Sequence, residues 1–419
     1  MNQVFEHAKQ QYAEIGVDVE KAMTRLSAIP ISMHCWQGDD IQGFENLAGP
    51  VSGGIQATGD YPGRARNGEE LMMDIDKAFS LIPGKHRLNL HASYGFFGES
   101  KIDRDQIRPE HFDKWIDFAL ERGICLDFNA TCFSHPLSKD GTLSSEQTKV
   151  RDFWIAHVKA CLKISEHIAH RQRDPVTLNI WIPDGFKDIP ADRFGPRRRL
   201  KDSLDQILAA DYDRSLVNLT VESKVFGIGL ESYTVGSHEF YLNYAAQNGI
   251  IYLLDNGHFH PTEVVADKIS STLLFFDKVA LHMTRPVRWD SDHVVRLDDE
   301  ILGLAQEIIV HGEEHFLLGT DFFDASVNRV AAWVIGMRNV QKALLIALLQ
   351  PHDQMRALQD ARNLSKLLAL QEELKTYPFG IVWQEFCQRS GVPTLNWYPE
   401  IEKYEEEVTK DRKAEDEWI

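Results

Sequence analysis

The chain has 419 residues, with 45 lysines and arginines against 63 aspartates and glutamates, a formal net charge of −18. Such a balance argues against nucleic acid as a partner, because no surplus of cations is available to displace phosphate counterions. With 43% hydrophobic residues a large core is attainable, which argues against disorder.

In chain order, the opening MNQVFEHAKQQYAEIGVDVEKA lacks the basic start and apolar run of a signal peptide. Val4, Phe5, Ala8, Tyr12 and Ile15 recur at helical spacing, so it reads as an amphipathic helix docked on the domain surface. Eight short β-rich runs follow: Ile31–Gln37, Arg87–Ser93, Ile124–Ala130, Thr177–Pro183, Asn218–Lys224, Ile250–Asp255, Val279–Thr284 and Phe316–Asp321. The intervals are long enough for a crossover helix each time. Ser144–Gln147 has the form of a capping box ahead of Phe153, Ile155, Val158, Leu162 and Ile164. Pro261 stands like a first helical residue before Val264, Val265, Ile269 and Leu273. The pattern predicts an α/β fold, a closed (β/α)8 TIM barrel. An open doubly wound sheet is the alternative, but no G-x-G-x-x-G follows an early strand, and the Gly227–Gly229 triplet reads as a turn.

Gly38 to Gly68 carries eight glycines in 31 positions directly after the first run. A loop of that length is either a lid over a site or a passive surface loop. After the eighth run, Val330–Leu349, Met355–Lys375 and Gly380–Arg389 have helical period, and the acidic tail from Glu400 reads as a solvated helix. The division expected is a barrel over 1–324, with its N-terminal helix and glycine-rich loop 38–68, and additional C-terminal helices over 325–419. Arg197–Arg199, the basic triplet, reads as a solvated face. The longest apolar stretch, around Ala343–Leu349, is short of the roughly 20 residues that span a bilayer. Cys35, Cys125, Cys132, Cys161 and Cys387 form no C-x-x-C pair and suit buried thiols in a reducing compartment. A soluble, cytoplasmic protein without a membrane partner is expected.

In barrels the chemistry sits where strands end at their C-terminal side. Those ends here hold His34 and Trp36, His91, Asn129, Trp181, Glu222 and Lys224, Asp255, His282 and Asp321, with His258, Asp290 and Asp292 just beyond. Any one strand-end aspartate alone reads as a helix cap, Asp290-Ser291-Asp292 alone as a turn, and Trp36 or Trp181 alone as core. Jointly they are more than that. Carboxylates converging from separate strands repel unless cations join them, and hard oxygen plus imidazole donors suit Mn²⁺, Mg²⁺, Co²⁺ or Zn²⁺. There are donors enough for two cations sharing a carboxylate. Lys224, two residues from Glu222 and so on the same face of a strand, is placed to stabilise charge on a substrate oxygen. A serine-hydrolase elbow, a P-loop and H-E-x-x-H are all missing.

SMHCWQGDD (32–40), GGIQATGDYPG (53–63), VESKVFGIG (221–229), LDNGHFHPTEV (254–264), RPVRWDSDHV (285–294) and GTDFFDASVNR (319–329) resemble the L-rhamnose isomerase family, with similarity over essentially the whole length. The resemblance implies an aldose–ketose isomerase on a (β/α)8 barrel, homotetrameric, acting on a sugar and requiring divalent metal with Mn²⁺ favoured. It implies Glu222, Asp255, His282 and Asp321 as ligands of a structural metal, Zn²⁺ or Mn²⁺. It implies His258, Asp290 and Asp292 around a catalytic Mn²⁺ that meets the substrate's O1 and O2. Lys224, Asp321 and His91 are then the catalytic groups, with Lys224 near C1 and His91 near the ring oxygen, and Trp36 and Trp181 are aromatic walls. A metal-assisted 1,2-hydride shift is expected, with a cis-enediol route as the competitor. Another aldose isomerase of this fold, a metal-dependent barrel hydrolase and a non-enzymatic sugar-binding protein remain as other readings. The C-terminal helices are more divergent.

Overall fold

A computed structural model describes residues 3–45, 57–98, 100–227, 229–287 and 292–412. Eight parallel strands close into a barrel: β1 Ile31–His34, β2 His86–His91, β3 Cys125–Asn129, β4 Val176–Ile180, β5 Val217–Glu222, β6 Ile251–Asp255, β7 Val279–Met283 and β8 Phe316–Thr320. Each neighbour in space is the neighbour in sequence, and β1 closes on β8 at Ser32 opposite Gly319. Several runs extend past the strand that forms. Cys35–Gln37 and Ala92–Tyr94 are single 3-10 turns, and Trp181 lies one residue beyond β4. The apolar pattern continues there because these turns are themselves buried.

Side chains alternate across the barrel wall. Leu88, Leu90, Leu126, Phe128, Leu178, Leu219, Val221 and Leu281 face the helices and build the main core. The other parity faces the lumen and is unusually polar: Ser32, Arg87, Asn89, Asp127, Asn129, Asn179 and Thr220. A barrel interior is ordinarily filled by branched aliphatics; here hydrogen bonds take their place. Arg87 holds Asp127 with two parallel bonds of 2.8 and 2.9 Å, and Ser32 Oγ donates to the same carboxylate at 2.7 Å. Above them Asn129 Nδ2 donates to Asn89 Oδ1 at 2.7 Å.

The outer helices differ from the sequence pattern in several places. The opening segment is two helices, Gln3–Glu14 and Val19–Ala28, parted at Gly16 (φ 80°), a conformation glycine adopts without a Cβ penalty. Asp18 caps the second by accepting from Lys21 N at 3.0 Å. Phe5, Ala8 and Tyr12 are buried, whereas Val4 is exposed. Ser144 is not a helix cap. Its hydroxyl and amide both donate to buried Asp184, so the helix Thr148–Gln172 starts later, after Gln147. The helix after Pro261 begins at Ala266.

Arg329–Leu348 has the length and apolarity of a membrane span but is mostly buried inside the protein, packed between helices Asp299–His311 and Gly68–Phe79. The pattern over 355–375 is broken into His352–Asp360 and Leu364–Leu374 by Arg362, at φ 55°. The tail is not wholly solvated: Arg412 is buried on Asp74 at 2.6 Å, and Glu405 accepts from Tyr61 Oη. The basic triplet is likewise part of the structure. Arg197 donates to the carbonyls of Val235 and Thr234, and Arg199 to that of Ser144 at 2.7 Å; only Arg198 is exposed. All five cysteines are free thiols, four of them buried.

Candidate metal centre

Barrel closure carries the ends of β5, β6, β7 and β8 to one point. Glu222 and Asp255 are the last residues of their strands, His282 is the penultimate residue of β7, and Asp321 follows β8. His282 Nδ1 lies 3.5 Å from Glu222 Oε2, 3.8 Å from Asp255 Oδ2 and 3.4 Å from Asp321 Oδ2. A second group, Asp255, His258 and Asp292, shares Asp255 with the first, and the donor atoms within each group lie within 4.8 Å of one another. Gly319 makes room for the His282 ring: a Cβ there would sit 3.2 Å from its Cδ2.

Surrounding bonds fix how the ligand atoms point. His258 Nδ1 donates to the Ser223 carbonyl at 2.9 Å and lies 3.1 Å from Glu222 Oε1, so Nε2, 3.9 Å from Asp292 Oδ1, is the nitrogen left to face a cation. Asn179 Nδ2 donates to Glu222 Oε2, and its own Oδ1 accepts from Thr220 at 2.9 Å. Gly257 N donates to Asp255 Oδ1 at 2.7 Å.

Yet among the described residues Glu222 Oε1, Asp255 Oδ2, His282 Nδ1 and Asp292 Oδ1 are buried without a hydrogen bond, facing only the acids and imidazoles of the cluster itself, as Glu222 Oε1 faces His258 Nδ1 at 3.1 Å. Buried polar atoms are almost always paired, so four orphans in one spot point to a missing positive partner. The electrostatics agree. Burial, then neighbouring carboxylates, drive Asp255 well above the ordinary carboxylate range, and burial with Asp321 and Glu222 brings Asp292 up to about 7. Burial opposes charge on the imidazoles, but Asp255 and Glu222 outweigh it and raise His258 to about 10; Glu222 and Asp321 raise His282 well above its usual value. The carboxylates recruit protons where a cation fits. Oxygen and imidazole donors in this number suit a divalent metal.

Beside the acids stands an aromatic arc. Trp36 Nε1 donates to Asp321 Oδ1 at 2.9 Å, and its ring meets His91 edge-on at 4.6 Å. The arc continues through Phe133, 5.2 Å from His91 and 5.7 Å from Trp181, to His258, 6.5 Å from Trp181. Lys224 Nζ lies 5.0 Å from the Trp181 ring centre. Burial pushes Lys224 down to about 8, against the pull of Asp292, Glu222 and Asp255. Burial also holds His91 at about 3, so its ring is neutral.

The family model described as L-rhamnose isomerase (RhaA) matches residues 1–412. The chain belongs to the L-rhamnose isomerase family. It is 54% identical over 414 residues to the L-rhamnose isomerase of Mannheimia succiniciproducens, covering 98% of this chain and 99% of that one. It is 52% identical over 415 residues to that of Salmonella agona, with the same coverage. Among solved structures, an L-ribulose 3-epimerase aligns with 76% of this chain and 95% of its own at 10% identity and a TM-score of 0.46, a likeness too low to bear on function. The barrel-hydrolase reading finds no support in these relatives.

In this member of the L-rhamnose isomerase family the geometry brings together Glu222, Asp255, His258, His282, Asp292, Asp321 and Lys224, with Trp36, His91 and Trp181 around them. Asp290 and positions 46–56 of the glycine-rich loop lie outside the described residues. The described flanks of that loop are tied down: Asp40 pairs with Arg329 at 2.8 Å, and Tyr61 N donates to the Ala325 carbonyl. Sequence reasoning missed Asn179, Phe133 and His238. Asn179 carried a signal, two residues before Trp181 and so on the same face. Phe133 sits in an irregular segment and His238 is the first residue of the helix His238–Asn248, where no strand period marks either. His238 Nε2 donates to the His258 carbonyl at 2.8 Å while its Nδ1 accepts from Ser223 Oγ and Tyr252 Oη.

Proposed function

We propose that the chain interconverts L-rhamnose and L-rhamnulose as a divalent-metal-dependent aldose–ketose isomerase. The observation that carries the reading is the orphaned acid–imidazole cluster at the strand ends of a chain that matches its family from end to end. Glu222, Asp255, His282 and Asp321 are the ligands of a structural cation, Zn²⁺ or Mn²⁺. Asp255, His258 and Asp292, with Asp290, are the side that holds the catalytic cation, for which Mn²⁺ is our choice. When bound, such a cation polarises the sugar carbonyl and lowers the pKa of the neighbouring hydroxyl.

The residues of the chain do the rest. Isomerisation moves a hydrogen from C2 to C1 while the O2 proton leaves and O1 gains one. We favour its passage as a hydride within the substrate. Lys224, buried and brought down to about 8, keeps an ammonium proton at hand for O1, and the proton leaving O2 restores it. His91, held neutral, offers a hydrogen bond to the ring oxygen without bringing charge into the aromatic arc. Trp36, Phe133 and Trp181 cover the apolar faces of the sugar and keep water away from the reacting carbons. Lys224→Gln should lower kcat by about 10²–10³-fold with unchanged metal content; near-normal turnover would remove Lys224 from the reaction.

The glycine-rich loop as a closing element, a barrel over 1–324 with a separate extension, a homotetramer and a cytoplasmic location complete the reading. Its test is L-rhamnulose formation by Mn²⁺-loaded protein from L-rhamnose deuterated at C2. Ketose carrying the label at C1 is expected. Ketose with the label washed into solvent would replace the hydride shift by the enediol route, and no ketose at all would send the site to another aldose.

A further inference from the structure

The barrel has a second opening, at the ends of the strands remote from the metal cluster. A cavity of about 200 Å³ enters there. Its rim is made by residues that precede strands, Lys85, Asp174 and Lys278, and its wall by the polar lumen, Asn89, Thr177 and Asn218. His282, whose Nδ1 lies among the carboxylates above, lines its inner end.

The charges on this cavity are unequally spent. Arg87 is committed, bidentate to Asp127 and 2.5 Å from Asp174, so those three groups leave about one negative charge, on half-exposed Asp174. Lys85 and Lys278 make no ion pair with any described residue, and they reach the rim from β2 and β7, which stand apart in the barrel. Inside, neutral hydrogen-bonding groups are left over. The Thr177 hydroxyl and the Asn218 amide make no hydrogen bond among the described residues. Buried Asn89, 5% exposed, uses its Oδ1 on Asn129 and donates its Nδ2 to none of them. Two ammonium groups at a mouth with amide and hydroxyl groups behind them match a molecule with a dianionic head and a polyhydroxylated body.

We propose that this N-terminal mouth is a second ligand site, for a phosphorylated monosaccharide, with the phosphate between Lys85 and Lys278 and the hydroxyls toward Asn89, Thr177 and Asn218. It stands whether or not the upper site isomerises a sugar. Because His282 is shared between cavity and cluster, a ligand here reaches the metal site through that ring.

The test is calorimetric titration of the full, Mg²⁺-loaded chain with D-fructose 1-phosphate, D-fructose and inorganic phosphate, each with and without saturating L-rhamnose. The proposal expects saturable binding of D-fructose 1-phosphate, tighter than either fragment and retained in L-rhamnose. It expects that affinity to fall at least about tenfold in Lys85→Gln/Lys278→Gln, through loss of the charge-assisted contacts, with metal content and ketose formation unchanged. Absence of saturable binding, displacement by L-rhamnose, affinity no better than that of inorganic phosphate, or an unchanged affinity in the double variant would each overturn it.

Discussion

The barrel buries carboxylates at two levels, and they are treated in opposite ways. At the lower level Asp127 accepts from Arg87, from Ser32 Oγ and from Thr177 N, so the chain supplies its own cation. At the upper level Glu222, Asp255 and Asp292 each keep an oxygen without a hydrogen bond among the described residues. Burial is alike at both levels, which makes it a poor guide to function. What separates a structural acid from a metal ligand is whether the fold has already provided its counter-charge.

Substitutions at the two levels should therefore fail differently. The largest effect is expected from Asp255→Asn, because that carboxylate belongs to both donor groups. Isomerase activity should drop by about three orders of magnitude or more with loss of bound metal, while the metal-free protein becomes more stable through relief of like-charge repulsion. Metal analysis and thermal unfolding of the same sample check both halves, and a destabilised metal-free variant would deny the contrast. Arg87→Met should reverse the pattern. An uncompensated Asp127 should cost about 3–5 kcal/mol of stability, read by denaturant unfolding, with cation stoichiometry intact; a stable variant that had lost its metal would count against the two-level account.

A smaller effect is expected one shell out. His238 ties the His258 carbonyl to Ser223 and Tyr252 and stacks on Phe259 at 3.7 Å between ring centres. His238→Asn should weaken cation binding about 10–100-fold, visible in equilibrium dialysis, and excess Mn²⁺ should restore turnover. If excess Mn²⁺ left activity low, His238 would matter to the fold rather than to ligand orientation.

The smallest effect is in pH. In metal-free protein Asp292 sits at about 7 and His258 at about 10, both above their unfolded values. The folded state thus binds more protons than the unfolded one between about pH 4 and 7 at Asp292 and between about pH 6.5 and 10 at His258. The contribution of these two groups to stability falls as pH rises through their windows, opposed above about pH 8 by Lys224. Bound cation removes that penalty and competes with protons, so the Tm gap between metal-loaded and metal-free protein should widen from pH 6 to pH 9. A gap that narrows would mean these groups do not face the cation.

Much of this can be read in the sequence. RLNLH, LDFN, TLNI and NLTVE alternate strictly, which marks β2 to β5 as strands and puts a polar residue at each of their lumen-facing positions. Lys224 keeps the same period although β5 ends at Glu222, and its N donates to the Gly236 carbonyl at 3.0 Å. Period fails where order comes from distant partners. Ser144 has the spacing of a helix cap, but Asp184, forty residues away, takes its hydroxyl. Phe133 completes the aromatic arc from a turn. The tail looked solvated because its charges alternate, and nothing local announces that Arg412 will be buried against Asp74.

Ketose formation should require a cation held by the upper carboxylates. Stripping the protein with EDTA, titrating Mn²⁺ back, and following bound metal and L-rhamnulose from L-rhamnose in the same samples checks this. Activity should be absent in the stripped protein, rise in step with cation bound, and fail to return in Asp255→Asn. Full turnover by protein shown to be metal-free would contradict the account.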